Sequence, residues 1–253
     1  MLGVAIVVDG VGAAIMVAVA ALVGERLPGP TTALLAAVAG VAAVAGIVGL
    51  YQGLAVGRMG VVAPVTGLIA ATLPVGVGFI RLGLPPPAVL VGIAAAFVAV
   101  VLVSRSHDPA GRPSGVRYAV VGGVGLGLFN LAIAAFPEPL VAWPLVIVKL
   151  AALVAVVGWV PLARRPWRVP EAVLPAAAAV AVLDLAGNGF YVLATQAGRL
   201  DVAATLSSLY PVTTIVLAVV LLREHVSRSH LAGIILAAAA IALIAGGSAA
   251  IAP

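Results

Sequence analysis

The chain reads as an all-α membrane protein, a polytopic bundle of nine or ten transmembrane helices arranged as two inverted repeats. Three observations predict this class. Hydrophobic residues fill 64% of the 253 positions and charged residues 8%, against roughly 45–50% and about 25% in ordinary globular domains. A soluble domain with so few charges has no means of covering its surface, whereas lipid removes that demand. The apolar residues are gathered into runs of about 20, the length that crosses hydrocarbon. Finally, short patterns in the first half recur in the second at a near-constant offset.

The runs fall, in order, at approximately 2–24, 31–57, 60–80, 86–104, 117–136, 139–161, 171–196, 202–222 and 229–250. The first lacks the basic opening region of a cleavable signal peptide and is read as a membrane helix. The gaps carry turn formers: Pro28-Gly29-Pro30, Pro85-Pro86-Pro87, the stretch from Pro109 to Ser114, and Pro137-Glu138-Pro139. Backbone polar groups in hydrocarbon must be satisfied within their own segment, and the runs are too uniformly apolar for barrel strands, so helix is the expected structure. Pro64, Pro74, Pro144, Pro175 and Pro211 lie within or near the starts of runs, where an interior proline frees a carbonyl and permits a bend. Small residues recur at helix-packing spacing, as in Gly53-x-x-x-Gly57 and Gly123-x-x-x-Gly127, which lets helix backbones approach closely.

The balance is basic, +5 with a pI near 10.4. The arginines all fall in gaps or at run ends and do not alternate with aromatics, so they read as topology determinants and lipid-headgroup anchors rather than nucleic-acid contacts. Alternate gaps hold Arg58, Arg105, Arg112, Arg117, Arg164, Arg165, Arg168, Arg223 and Arg228 on one side, and Arg26, Arg81 and Arg199 on the other. The positive-inside rule puts the richer set in the cytoplasm. With nine helices, the N-terminus is then inside and the C-terminus outside. Without cysteine there is neither a disulfide framework nor a thiolate metal site, and His107, His225 and His230 lie in gaps without ligand spacing. No metal or cofactor is expected.

Gly49-Leu50-Tyr51 matches Gly189-Phe190-Tyr191 at an offset of 140; Gly57-Arg58 matches Gly198-Arg199 and Gly92-Ile93 matches Gly233-Ile234 at 141. A repeat of five helices, an odd number, makes the second copy enter the membrane from the opposite side, the inverted pseudosymmetry many secondary transporters use. Residues 1–104 form the first repeat, with four runs and its first helix lacking; 105–116 connect; 117–253 form the second, with five.

The stretch Gly187-Asn188-Gly189-Phe190-Tyr191 through Ala197-Gly198-Arg199-Leu200, then Ser207-Ser208-Leu209-Tyr210-Pro211-Val212-Thr213-Thr214, Leu222-Arg223-Glu224 and Leu231-Ala232-Gly233, resembles the C-terminal half of an EamA-type repeat of the drug/metabolite transporter superfamily. The resemblance is strongest over 184–246 and weaker over 49–104, where Gly83 occupies the place aligned with Glu224. It implies ten helices in two five-helix repeats, both termini in the cytoplasm, and export of metabolites, amino acids or drugs. It also marks Glu224, Pro211 and Gly233 as structural motif positions.

An ionisable side chain at the centre of a transmembrane helix costs roughly 2.5–3.5 kcal/mol on insertion scales, so each one asks for a reason. Glu25, Asp108, Glu138, Glu171 and Asp201 sit in gaps or at run ends. Asp184 lies mid-run, and Asn188 and Tyr191 share its helical face. This stripe of carboxylate, amide and phenol suits a cavity wall that binds a proton or a substrate; a structural Asp bonded to a neighbouring helix is the alternative. Lys149, the sole lysine, lies about ten residues from either end of its run, roughly 15 Å deep at 1.5 Å per residue. It can pair with Asp184, bind an anionic group, or extend its stem toward an interface. Asp9 is nearer a helix end, where a plain end role competes with a binding one. Asn130, Tyr51 and Gln52 are uncharged candidates for the same cavity, with inter-helix hydrogen bonds as the alternative. Trp143 and Trp159 bracket their run as interfacial anchors.

The function these features favour is secondary transport of a small solute by alternating access, in contact with membrane lipid and coupled to protons through Asp184. A membrane enzyme for lipid-linked substrates would need clustered Asp, His or Arg at an interface, which the gaps lack; the chain is not read as an enzyme. A non-transporting membrane partner or receptor is the other alternative.

Overall fold

The computed structural model describes residues 2–103, 114–163, 169–210, 212, 213, 216 and 227–249. Among them the regular structure is helical: α1 (Leu2–Val23), α2 (Pro30–Val56), α3 (Met59–Leu82), α4 (Pro87–Val103), α5 (Val116–Ala134), α6 (Ala142–Ala163), α7 (Leu174–Ala197), preceded by a 3-10 turn at Glu171–Val173, α8 (Leu200–Ser207) and α9 (Arg228–Ala249). Seven of these, α1, α2, α3, α5, α6, α7 and α9, are long and apolar enough to cross a membrane, and α4 is a shorter apolar helix. The apolar run expected at 202–222 opens with α8; residues 211, 214–215 and 217–222 lie outside the described set. So does most of the connecting segment, 105–116.

The helix limits follow local chemistry. Pro30 and Pro87 begin α2 and α4, where a missing N–H is not needed and φ is already set for helix. Gly24 and Gly83, at φ +67° and +73°, end α1 and α3, a left-handed geometry that glycine adopts without a Cβ penalty.

By residue contacts the chain divides into two compact units, one of Met1–Ala45 and Leu128–Ala197, the other of Gly46–Gly127 and Gly198–Pro253. In the first unit α1 packs along α6 and against α7, and α2 meets α6 at Gly40, where an added Cβ would collide with the backbone of Val148 and Ala152. Gln196 of α7 donates to the carbonyls of Leu140 (3.1 Å) and Phe136 (3.4 Å), tying the end of α7 to the entry of α6.

In the second unit α4 runs along α9, α3 packs on α8, and Ala96, Ala99, Val100, Leu209, Ala237 and Ala240 form a buried core. Glycine allows these approaches. A Cβ on Gly53 would lie 2.7 Å from Val62, one on Gly123 2.6 Å from Ile69, and one on Gly127 2.6 Å from Leu73; both spaced glycine pairs therefore act as packing surfaces. At the α4/α9 contact the collisions are reciprocal: Gly92 faces Ile244 and the Ala240 carbonyl, and Gly233 faces Val103 and the Ala99 carbonyl. The two helices are thus antiparallel. Elsewhere in the unit the Thr66 hydroxyl of α3 donates a buried bond to the Ala119 carbonyl of α5 (3.2 Å).

A candidate ion-cluster site in the first unit

The site rests on three helices. Gly12, one turn beyond Asp9 on α1, leaves room for the Lys149 stem: an added Cβ would lie 3.5 Å from Lys149 Cδ and Cε. The stem therefore lies along α1, and its ammonium ends between two carboxylates. Lys149 Nζ donates to Asp9 Oδ1 at 3.1 Å and to Asp184 Oδ2 at 2.5 Å. The side chains of Lys149, Asp9 and Asp184 are 8%, 12% and 38% exposed. Lys149 and Asp9 are sealed, and Asp184 is the accessible member.

Of the readings open for Lys149, pairing is the one the fold adopts. Asp9 does more than close a helix end: it shares the lysine with Asp184. Buried charges persist when they are paired and hydrogen-bonded, and one ammonium between two carboxylates leaves the cluster at formal charge −1 when all three are ionised.

Asn188 and Tyr191 continue the Asp184 face of α7. Asn188 is half-buried. Tyr191 is 7% exposed, and its hydroxyl has no hydrogen-bond partner among the described residues, which is costly for a buried polar group. Asn130, half-buried near the end of α5, belongs to the same unit. Tyr51 and Gln52 are exposed on the part of α2 that belongs to the second unit. Gly233 holds the α4/α9 contact described above; Pro211 and Glu224 lie outside the described residues. No group of three or more His, Cys, Asp or Glu with the geometry of a metal site occurs among the described residues.

Two acidic residues have roles that position alone did not reveal. Glu25, just past α1, accepts hydrogen bonds from the backbone N–H groups of Val141 (3.2 Å), Ala142 (2.9 Å) and Trp143 (2.8 Å). It caps α6 from a distant part of the chain, satisfying donors that a helix start leaves open. Trp143 returns its indole N–H to the Glu25 carbonyl at 2.9 Å. Asp201, fully buried at the start of α8, holds Arg199 by two bonds of 3.0 and 3.1 Å, and Arg199 also donates to the Gly83 carbonyl. A carboxylate near an apolar run's end is a detectable signal, but its partners lie up to 118 residues away.

An open groove of about 720 Å³ between α2 and α6 is lined by residues such as Val38, Val41, Ile147, Leu150 and Val154. It offers a solute no hydrogen-bonding side chain, and its surface suits acyl chains.

No curated protein matches the chain. A solved structure titled "Crystal structure of protein" superposes with a TM-score of 0.72 at 20% identity, covering 98% of this chain and 85% of that one. That likeness concerns the fold. The model of the EamA-like transporter family matches residues 113–246, more than half of the 253 positions and the whole of α5 to α8. The chain is therefore a multi-pass membrane protein that belongs to the EamA-like transporter family.

Proposed function

We propose that the protein is a secondary transporter of the cell membrane, exporting a small metabolite, amino acid or drug-like solute by alternating access, with Asp184 coupling the cycle to protons. The observation that carries this reading is the ion cluster. Membrane helices rarely hold ionisable groups without function, and here three helices contribute one each, with a single carboxylate left accessible. Asp184 accepts a proton on one side of the membrane, which frees Lys149 to rest on Asp9 alone, and releases it on the other.

The reading includes two inverted repeats, 1–104 and 117–253, joined by 105–116. The contacts at α4/α9 support it: Gly92 and Gly233 are 141 residues apart, as are Val103 and Ile244, and Ala99 and Ala240. Each contact thus has its mate at the offset of the sequence repeat, and an antiparallel pair with mated contacts is what a two-fold axis in the membrane plane produces.

The test is uptake into proteoliposomes carrying the purified full chain under an imposed pH gradient, screened against amino acids, nucleosides, sugars and cationic drugs. At least one solute class is expected to move above the level of protein-free vesicles, and its dependence on the gradient to disappear in Asp184→Asn. Movement of none, or a gradient response that survives Asp184→Asn, overturns the reading.

A further inference from the structure

We infer that the solute held at Asp184 is an organic cation, a primary ammonium or a group of like charge, which takes the place of the Lys149 ammonium on that carboxylate. This rests on the carrier reading above and names its substrate class.

Charge counting gives the sign. Among the described residues the charged groups around Asp184 are Lys149 from α6 and Asp9 from α1, and Tyr191 is the other titratable group on its own α7 face. With the three charged groups ionised the sum is −1. An anion would bring it to −2 in surroundings where charge is poorly screened; a monovalent cation brings it to zero. The Lys149 ammonium already gives two of its three N–H groups to Asp9 and Asp184, and at 8% exposure it has little surface to offer an anion.

Exposure indicates where the cation binds. Asp184 is 38% exposed against 12% for Asp9, and among the described residues its ion contact runs through Oδ2 alone. Asp9 gives Lys149 a second partner at 3.1 Å. An incoming ammonium can therefore displace Lys149 from Asp184 without stranding it, because Asp9 retains it. The unpartnered hydroxyl of Tyr191, more than nine-tenths buried, and the amide of Asn188 lie further along the same face of α7, and they supply neutral hydrogen-bonding groups without adding charge. The two-carboxylate, one-lysine arrangement is in this sense a cation site already occupied by an internal cation.

The experiment uses the full chain in nanodiscs and three probes of matched shape: phenethylammonium, 2-phenylethanol and 3-phenylpropionate, with empty nanodiscs as the partition background. The ammonium is expected to bind at pH 7.5, and a tenfold excess of the alcohol or the carboxylate to leave it in place. Asp184→Asn is expected to weaken the ammonium by about tenfold or more, the loss of one charge-assisted contact. Lys149→Gln is expected to tighten it, because the internal competitor is gone; a purely structural lysine would give the opposite. Preferential binding of the carboxylate, equal binding of all three, or weaker ammonium binding in a folded Lys149→Gln overturns the inference. The wild-type comparison decides even where a variant fails to fold. Flux of the same probes in proteoliposomes separates the two claims. An ammonium that binds but is not moved defeats the carrier reading alone. A neutral or anionic solute moved in an Asp184-dependent way, with no ammonium binding, defeats the cation inference alone.

Discussion

Lys149 and Asp9 are joined at 3.1 Å and stand 140 residues apart, the offset that aligns Gly49-Leu50-Tyr51 with Gly189-Phe190-Tyr191. In the inverted repeat proposed above, the pair occupies corresponding positions, on helices α1 and α6, which pack along each other in the first unit. Positions related by a two-fold axis face each other across it, and identical charges there would repel. On that proposal, aspartate in one repeat and lysine in the other turn the contact into an ion pair.

Exchange of the two charges tests this relationship. Asp9→Lys or Lys149→Asp alone leaves a buried charge without its counterpart, a loss of about 3–5 kcal/mol. The double exchange restores opposite charges at the two positions and is expected to recover at least half of that loss. Thermal unfolding of the four proteins in one detergent gives the coupling directly.

Asp184→Asn is expected to leave the fold intact, because Lys149 keeps Asp9 and the aspartate is 38% exposed. Gradient-driven uptake should fall by roughly tenfold, equivalent to about 1.4 kcal/mol, while the size-exclusion profile is unchanged. Loss of the monodisperse peak would assign Asp184 to structure.

Glu25→Ala removes the acceptor for three N–H groups at the start of α6. The expected cost is about 1–2 kcal/mol, the scale of a lost helix cap. Glu25→Gln keeps one oxygen acceptor without the charge and should cost less. Melting temperatures of both variants check the order.

Gly233→Ala places a Cβ 2.5 Å from Val103 Cγ2 and 3.1 Å from the Ala99 carbonyl, so α4 and α9 must move apart, at about 1–3 kcal/mol for overpacking. Gly189→Ala, in α7, meets nothing within 4 Å and is expected to be neutral or slightly stabilising, because glycine weakens a helix interior by roughly 0.5–1 kcal/mol. Equal melting shifts for the two would contradict the packing role of the α4/α9 contact.

Local chemistry carried the elements. Within hydrocarbon each segment satisfies its own backbone, so length, hydropathy and the prolines at 30 and 87 were enough to place α2 and α4 to within a residue. The same physics singled out Asp184, since a charge in mid-run is costly wherever the helix points. What a linear reading left open was partnership. Whether Lys149 met Asp184, an anion or an interface depended on how α1, α6 and α7 pack, and Asp9 joined the cluster from 140 residues away. Glu25 looked like an ordinary gap residue until α6 came to rest on it. Helix formation and the cost of a charge are properties of one segment in its solvent, while the pairing that makes such a charge tolerable is a property of several segments together, and that was decided by tertiary packing.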